Sequence, residues 1–215
     1  MRITVFGATG NVGRHTVAEA LRRGHDVIGV SRRRERLDTL PSGTRHRVGH
    51  AGDVEDVVAL SHGQDLVISA TRPAPGHESE LADTARTLLA GLERTGVRLL
   101  LVGGAGSLTV PGTNGRTVRD DPVFAPPPAA DPLVAACGEQ LDVCRADDSG
   151  VDWVYLSPAA ELIAGPRTGT FRRGVDQLLI DADGQSRISV QDLAVALLDE
   201  AEDPAHHRMR FTIGY

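Results

Sequence analysis

Hydrophobic positions in the first half of the chain follow two alternating periods. Short runs of apolar, mostly β-branched residues predict strands at 3–6, 26–31, 44–48, 65–69 and 97–102. Between them, apolar residues recur every three or four positions, which predicts helices over 13–24, 54–61 and 81–92. Strands that alternate with helices of this length predict an α/β fold with a Rossmann-like, doubly wound parallel sheet.

The rhythm changes in the second half of the chain. Gly, Pro and Thr dominate between Gly103 and Pro132. A loop of that length inside a domain is usually functional or mobile, so we expect it to roof a ligand cleft. The elements predicted after it are a helix over about 133–146, a helix with Ser189 at its N-cap, and strands at 152–156, near 177–180, near 187–188 and at 210–213. With no internal repeat and no second core, we predict a single domain over residues 1–215 with a small C-terminal extension on the substrate side.

All 23 basic residues of the chain are arginine, and lysine is absent. A guanidinium stays protonated at any workable pH, so arginine cannot replace lysine as a general base, as a Schiff-base amine or as the titratable helper of a catalytic tyrosine. Lysine-dependent phosphate loops and pyridoxal chemistry are therefore excluded. A GC-rich genome accounts for the composition equally well, but it does not supply the missing amine.

Charge and hydropathy argue against several kinds of partner. The net charge of -6 leaves no basic footprint for nucleic acid, and no apolar stretch approaches the roughly 20 residues that span a bilayer. The N-terminus runs directly into a predicted strand rather than a signal peptide, so a cytoplasmic protein is expected. Cys137 and Cys144 fall two turns apart on one predicted helix, too far for a disulfide, and no set of histidines and cysteines has metal-ligand spacing.

A glycine-rich turn follows the first predicted strand. It reads Gly7-Ala8-Thr9-Gly10-Asn11-Val12-Gly13, and a predicted helix follows it. In such a turn one glycine permits the tight bend, the next lets main-chain amides approach a pyrophosphate, and the last lets the helix pack closely on the strand. The position between strand and helix predicts a nucleotide site; the alternative is a glycine-rich turn that binds nothing.

The tip of the second strand usually selects the cofactor. Enzymes that use NAD place a carboxylate there to bind the ribose 2′-hydroxyl, but this chain has Ser31-Arg32-Arg33. A hydroxyl and guanidinium groups suit a 2′-phosphate, so we expect NADP(H) to be favoured over NAD(H). The alternative is that residues 32–36 form a solvated surface. Asp53 either binds the adenine amine or caps the following helix.

Four parts of the chain together resemble the atypical short-chain dehydrogenase/reductase superfamily. They are residues 7–13, 101–108, 152–160 and the tail segments 176–179, 186–189, 194–200 and 210–215. The fuller resemblance is to an NmrA-like bacterial group named as NADH-flavin reductases, relatives of biliverdin-IXβ/flavin reductase.

This resemblance implies which strand ends face the cofactor. Ser69-Ala70-Thr71 and Gly103-Gly104 would border the nicotinamide ribose, and Ser157-Pro158-Ala159-Ala160 would cover the nicotinamide. Ligands of such sheets bind at the carboxyl ends of the strands, which agrees with this placement. The hydroxyls of Ser69 and Ser157 could equally well satisfy nearby main-chain groups.

The chain departs from the Tyr-x-x-x-Lys pair of typical superfamily members. It has no lysine, and its two tyrosines, Tyr155 and Tyr215, lack the required spacing. Hydride addition to a simple ketone creates a basic alkoxide that needs a tuned acid beside it, whereas a flavin, quinone or tetrapyrrole delocalises the charge. We therefore expect a conjugated small-molecule acceptor, with flavin as one possible substrate.

Two side chains are candidates for a catalytic role. Ser107 follows the fifth predicted strand and could polarise a substrate, or it could cap the glycine loop. His77 could donate a proton from the loop after the fourth strand, or it could be a solvated surface residue. Three functions remain open: an NADPH-dependent reductase, a redox sensor that binds NADP(H) without turnover, and an isomerase or tailoring enzyme. The sequence leaves the oligomeric state open.

Overall fold

The central sheet of the computed structural model, which describes residues 1–215, is built from strands that alternate with helices along the chain. The ten strands are β1 (Arg2–Phe6), β2 (Asp26–Ser31), β3 (Arg45–Val48), β4 (Leu66–Ser69), β5 (Arg98–Val102), β6 (Trp153–Ser157), β7 (Glu161–Ile163), β8 (Arg172–Gly174), β9 (Arg187–Ser189) and β10 (Met209–Gly214). The five helices are α1 (Asn11–Arg22), α2 (Val54–Ser61), α3 (Glu80–Glu93), α4 (Asp131–Ala146) and α5 (Val190–Glu202). Two 3-10 turns occupy Arg34–Thr39 and Val118–Asp120.

Eight of the strands form one sheet in the order β3-β2-β1-β4-β5-β6-β10-β8. All neighbours are parallel except β8, which pairs antiparallel with β10 at the edge. The order of the strands switches at β1: β2 and β3 lie on one side of it, and β4, β5 and β6 lie on the other. Ligands of doubly wound sheets bind at this switch point, between β1 and β4. The predicted Rossmann-like α/β fold is confirmed.

Both faces of the sheet are buried under helices. One core cluster of 22 residues lies under α1 and α5, and a second cluster of 18 residues lies under α2, α3 and α4. Successive residues of β5 point to opposite clusters: Leu100 belongs to the first, and Leu99 and Leu101 belong to the second. A strand that is buried on both faces reads as a continuous apolar run, which explains the sequence pattern there.

The tail differs from the predicted strand pattern. The strand expected near residues 177–180 is wrong: the chain pairs with β10 earlier, at β8, and Gln177 makes only an isolated bridge with Thr109. That segment, with three apolar residues, packs instead of pairing: Leu178 is buried in a third small cluster with residues of the loop between β5 and α4, and Ile180 packs against this cluster. The hydrophobicity of the segment therefore serves packing rather than strand pairing. The short parallel pair of β7 with β9 was not predicted.

The loop between β5 and α4 is held by its own interactions. Leu108, Val110 and Val118 bury their side chains with Leu178. Asp121 is buried and accepts hydrogen bonds from two main-chain amides of the loop, at 2.9 and 3.3 Å. The hydrogen bonds of Asp121 hold the loop internally, and the packing against Leu178 attaches it to the tail. None of the helices is both long and apolar enough to cross a membrane.

Candidate functional site

The glycine turn after β1 has the conformation that its sequence predicts. Gly7 has φ +74°, and a Cβ atom added there would lie 2.4 Å from the Ala70 carbonyl oxygen at the end of β4. A Cβ atom on Gly13 would lie 2.1 Å from the Gly7 oxygen. Gly7 therefore permits the bend, and Gly13 permits the close packing of α1 on the turn.

The N-terminus of α1 is open toward a ligand. Gly10 caps the helix without a side-chain hydrogen bond, and the first turn contains no acidic residue. The amides of this turn and the positive end of the helix dipole are then available to an anion. Ala8 lies beneath the turn, fully buried, and its amide bonds the Val30 oxygen at 3.2 Å.

A cleft of about 720 Å³ lies over the carboxyl ends of the strands from β1 to β6. The predicted site residues that line it are Gly7, Thr9, Gly10, Asn11, Val12, Ser31, Arg32, Arg33, Ala70, Thr71, Gly103 and Pro158. We call the part lined by residues 6–7, 9–12, 30–33, 36 and 49–52 the β1–β3 end. The part lined by residues 70–74, 80–81, 84, 102–103, 133, 137, 158 and 162 is the β4–β6 end.

Arginines dominate the outer wall of the β1–β3 end. Arg32, Arg33 and Arg36 line the cleft. The guanidiniums of Arg32 and Arg36 have no ion-pair partner in the chain, and Arg33 only approaches the exposed Glu35, at 3.9 Å. Ser31 is 8% exposed, and its hydroxyl accepts a hydrogen bond from the Arg33 amide at 3.2 Å. The sequence reasoning did not choose Arg36, although it belongs to the same arginine run.

Residues after β3 close the other wall of this end. His50, Ala51 and Gly52 line it, and the His50 ring accepts a hydrogen bond from the Gly52 amide at 2.8 Å. Asp53 does not line the cleft. It caps α2, because its carboxylate accepts hydrogen bonds from the amides of Glu55 and Asp56 at 2.9 and 3.1 Å. The capping alternative is thus the one that the geometry displays.

The β4–β6 end is largely apolar. Val102, Leu133, Cys137, Pro158 and Leu162 line it. These residues come from β5, α4, β7 and the turn after β6, so no local sequence motif predicts that they lie together. Burial raises the pKa of the Cys137 thiol to about 11, which the nearby Arg72 guanidinium partly opposes, so the thiol is neutral near pH 7.

Tyr155 lies directly beneath this end but does not open into it. A Cβ atom on Gly103 would lie 1.9 Å from the Tyr155 ring. The tyrosine is fully buried, and its hydroxyl donates to the Cys137 carbonyl oxygen at 2.7 Å. Burial raises the pKa of the phenol, so Tyr155 supports the floor and is unsuited to proton transfer.

Other predicted residues of this end support the lining from behind. The Ser69 hydroxyl lies 3.1 Å from that of Thr71. Gly104 lies against the Cys137 side chain. Ser157 and Ala159 are buried, and the Ser157 hydroxyl has no hydrogen-bond partner in the chain.

Neither predicted catalytic side chain lines the cleft. The Ser107 hydroxyl accepts a hydrogen bond from Arg210 at 2.8 Å, and Arg210 also pairs with Asp176. His77 is exposed, and its Nδ1 lies 3.1 Å from the Glu80 carboxylate. The expected roof is also wrong: the loop between β5 and α4 lines the cleft only where it begins, at Gly103, because its apolar residues pack against the tail.

The residues present fit a dinucleotide. The glycines that a Cβ atom would block leave room for a pyrophosphate at the start of α1. Cationic side chains follow at one side, and an apolar surface follows at the other. Sequence reasoning missed Arg36, Arg72, Leu133, Cys137 and Leu162. Only Arg36 and Arg72, which follow β2 and β4, could have been indicated by their position after a strand.

Comparison with known proteins agrees with this geometry. A family model described as NAD(P)H-binding matches residues 7–204. The uncharacterised protein YwnB of Bacillus subtilis (strain 168) is 35% identical over 215 residues, which cover 99% of this chain and 98% of the relative.

Two solved structures share the whole fold. A Bacteroides thetaiotaomicron protein provisionally named an epimerase is 38% identical with a TM-score of 0.89, covering 100% of this chain and 96% of its own. A Streptococcus pneumoniae TIGR4 protein provisionally named an NADH-flavin reductase is 28% identical with a TM-score of 0.84, covering 100% of this chain and 99% of its own. This chain therefore belongs to the NAD(P)H-binding family, within the atypical short-chain dehydrogenase/reductase group that its motifs resemble.

Proposed function

We propose that the protein is an NADPH-dependent reductase that transfers hydride to a flavin, a quinone or another conjugated acceptor. The observation that carries the proposal is the asymmetry of the cleft: arginines at the β1–β3 end, the glycine turn beside them, and an apolar surface without a tuned acid at the β4–β6 end. The relative named an NADH-flavin reductase supports a reductase.

Each part of the cofactor has residues suited to it. The amides at the start of α1 would bind the pyrophosphate. The Ser31 hydroxyl and the guanidiniums of Arg32, Arg33 and Arg36 would bind a 2′-phosphate, since planar guanidiniums pair with phosphate through two hydrogen bonds. Main-chain groups of residues 50–52 would face the adenine. When bound, NADPH supplies the hydride.

The residues of the β4–β6 end suit a flat acceptor. Leu133, Leu162 and Pro158 offer an apolar surface that excludes water. No lysine is present in the chain, and Tyr155 is engaged beneath the floor. The chain would therefore accelerate transfer by positioning the two rings, and the delocalised product anion would take its proton from water.

An epimerase is the second candidate, because one relative carries that name. Epimerisation through transient oxidation of an alcohol needs a group that removes the hydroxyl proton and returns it. In this cleft Glu80 is the sole carboxylate in the lining, and it is engaged by His77. The site chemistry favours the reductase.

Turnover separates the reductase from a protein that only senses NADP(H). We expect loss of NADPH absorbance when FMN, a quinone or biliverdin is added. Tight NADP(H) binding without oxidation by any acceptor in this panel would reject the reductase and leave the sensor.

The cofactor preference has its own test in Arg32→Glu. We expect this variant to weaken NADPH binding by tenfold or more while NADH binding changes little, because the new carboxylate repels the 2′-phosphate. Arg34→Glu is the matched control, since this substitution makes the same change of charge at a residue that does not line the cleft. Equal effects of Arg32→Glu on both cofactors would contradict the assignment.

A further inference from the structure

The lining of the cleft is positively charged, although the protein as a whole is acidic. The charged residues of this lining are four arginines and a single glutamate, whereas the chain carries a net charge of -6. Three of these arginines belong to the β1–β3 end. The fourth, Arg72, follows β4 and lies at the other end of the cleft.

Arg72 forms no ion pair within 4 Å in the chain, although its charge is one of the weaker causes that lower the pKa of the Glu78 carboxylate. The nearest acidic residues along the chain are engaged elsewhere. Asp65 binds Arg2 at 3.0 Å, the Glu78 carboxylate accepts a hydrogen bond from the Gly76 amide at 3.0 Å, and the Glu80 carboxylate lies 3.1 Å from the His77 ring. By contrast, Arg23, Arg98 and Arg210 each bind a carboxylate at less than 3 Å.

The position of Arg72 relates it to the apolar surface rather than to the ribose-binding wall. Arg72 and Cys137 line the same end of the cleft, and the guanidinium charge lowers the pKa of the thiol against the effect of burial. Cys137, with Leu133 beside it on α4, forms part of the surface on which we propose that the acceptor ring lies. Arg72 is therefore an arginine without an ion pair that lies beside the apolar surface of the cleft.

We propose that Arg72 binds an anionic oxygen group, a phosphate or a carboxylate, on the side chain of the acceptor. This inference rests on the proposed reductase and narrows its substrate class to conjugated acceptors that carry such a group. A guanidinium presents paired hydrogen-bond donors to either group. Because Arg72 lies beside the apolar surface, it would hold the phosphate or carboxylate in water while the ring of the acceptor is buried.

The test compares acceptors that differ only in the anion. FMN and riboflavin share one ring system and differ in the phosphate; biliverdin and its dimethyl ester differ in the carboxylates. Equilibrium binding is measured by fluorescence quenching in the presence of saturating NADP⁺, so the result does not depend on turnover. The variant is Arg72→Gln. Its matched control is Arg45→Gln, which removes another exposed arginine without an ion pair, on β3 outside the cleft.

We expect the wild type to bind the anionic member of at least one pair about tenfold more tightly, and Arg72→Gln to abolish that difference. The pair that discriminates identifies phosphate or carboxylate as the group. Equal loss for both members of a pair, weaker binding of NADP⁺ itself, or no discrimination by the wild type in either pair would overturn the inference.

Failure of the reductase is distinguishable from failure of this site. If no acceptor oxidises NADPH but an Arg72-dependent preference for the anionic member persists, the anion site stands and the reductase does not. If acceptors are reduced but Arg72→Gln affects both members of each pair equally, the reductase stands and the anion site does not.

Discussion

The β1–β3 end of the cleft comes from residues within the first 52 positions, whereas the β4–β6 end combines residues that are spread from Ala70 to Leu162. In the first end, the glycine turn supplies main-chain amides and the segment after β2 supplies consecutive arginines, so these groups follow from local sequence. In the second, the residues come from four separate segments: eight lie between Ala70 and Thr84, and each of the other three segments contributes two. The comparison teaches that the end proposed to bind the cofactor is built from local sequence, whereas the end proposed to bind the acceptor depends on packing.

The largest expected effect tests the local end. Gly13→Ala places a Cβ atom 2.1 Å from the Gly7 oxygen, so α1 must move away from the turn. We expect NADPH affinity to fall more than a hundredfold and the free energy of unfolding to fall by about 2 kcal/mol. Isothermal titration and urea denaturation measure these two quantities.

Gly138→Ala is the control for this variant. Gly138 lies in α4, and an added Cβ atom would meet nothing within 4 Å. Alanine should stabilise that helix by about 0.5–1 kcal/mol without changing NADPH binding. Unchanged NADPH affinity in Gly13→Ala would contradict the proposed role of the turn.

The second prediction concerns the tail that borders the β4–β6 end. Asp192 is fully buried, and its carboxylate accepts hydrogen bonds from the amides of Thr168 and Gly169, both at 2.8 Å, and from the Tyr215 hydroxyl at 2.7 Å. Asp192→Asn replaces one acceptor oxygen with a donor. We expect the free energy of unfolding to fall by about 3 kcal/mol at pH 7, measured by urea denaturation, with exposed Asp183→Asn as the neutral control.

The pH dependence of that loss has a defined sign. Burial opposes ionisation of Asp192, but its hydrogen bonds from Thr168, Gly169 and Tyr215 outweigh burial and lower its pKa. The carboxylate therefore contributes its full stabilisation above its unfolded-state pKa, roughly 4, and loses it as the pH falls through the lower folded-state pKa. The difference between wild type and Asp192→Asn should shrink below about pH 4; a constant difference would contradict the assignment.

The smallest expected effect concerns Tyr155. Tyr155→Phe keeps the ring against Gly103 and removes the hydrogen bond to the Cys137 carbonyl oxygen. We expect about 1 kcal/mol of lost stability and kcat within twofold of the wild type. A tenfold fall in kcat with an altered pH profile would show that the tyrosine transfers a proton, and would make the β4–β6 end a conventional acid site.

The local sequence predicts some of the residues that line the cleft and fails for others. Arg32 and Arg33 were identified because they follow a predicted strand, and the structure places both in the cleft lining. Ser107 was chosen by the same rule, but its hydroxyl is bound by Arg210, which comes from a strand more than a hundred residues later. No local pattern indicates such a partner.

The order of elements, the parallel sheet and the glycine turn follow from the chain's own periodicity, because strand and helix spacing and the need for glycine at positive φ act between near neighbours. The absence of lysine is likewise a property of the sequence alone. The tertiary structure decided which side chains share the β4–β6 end, that the long loop packs on the tail instead of covering the cleft, and that Arg72 is left without an ion pair. These outcomes depend on contacts between distant segments, whose packing energies compete only once the sheet has formed.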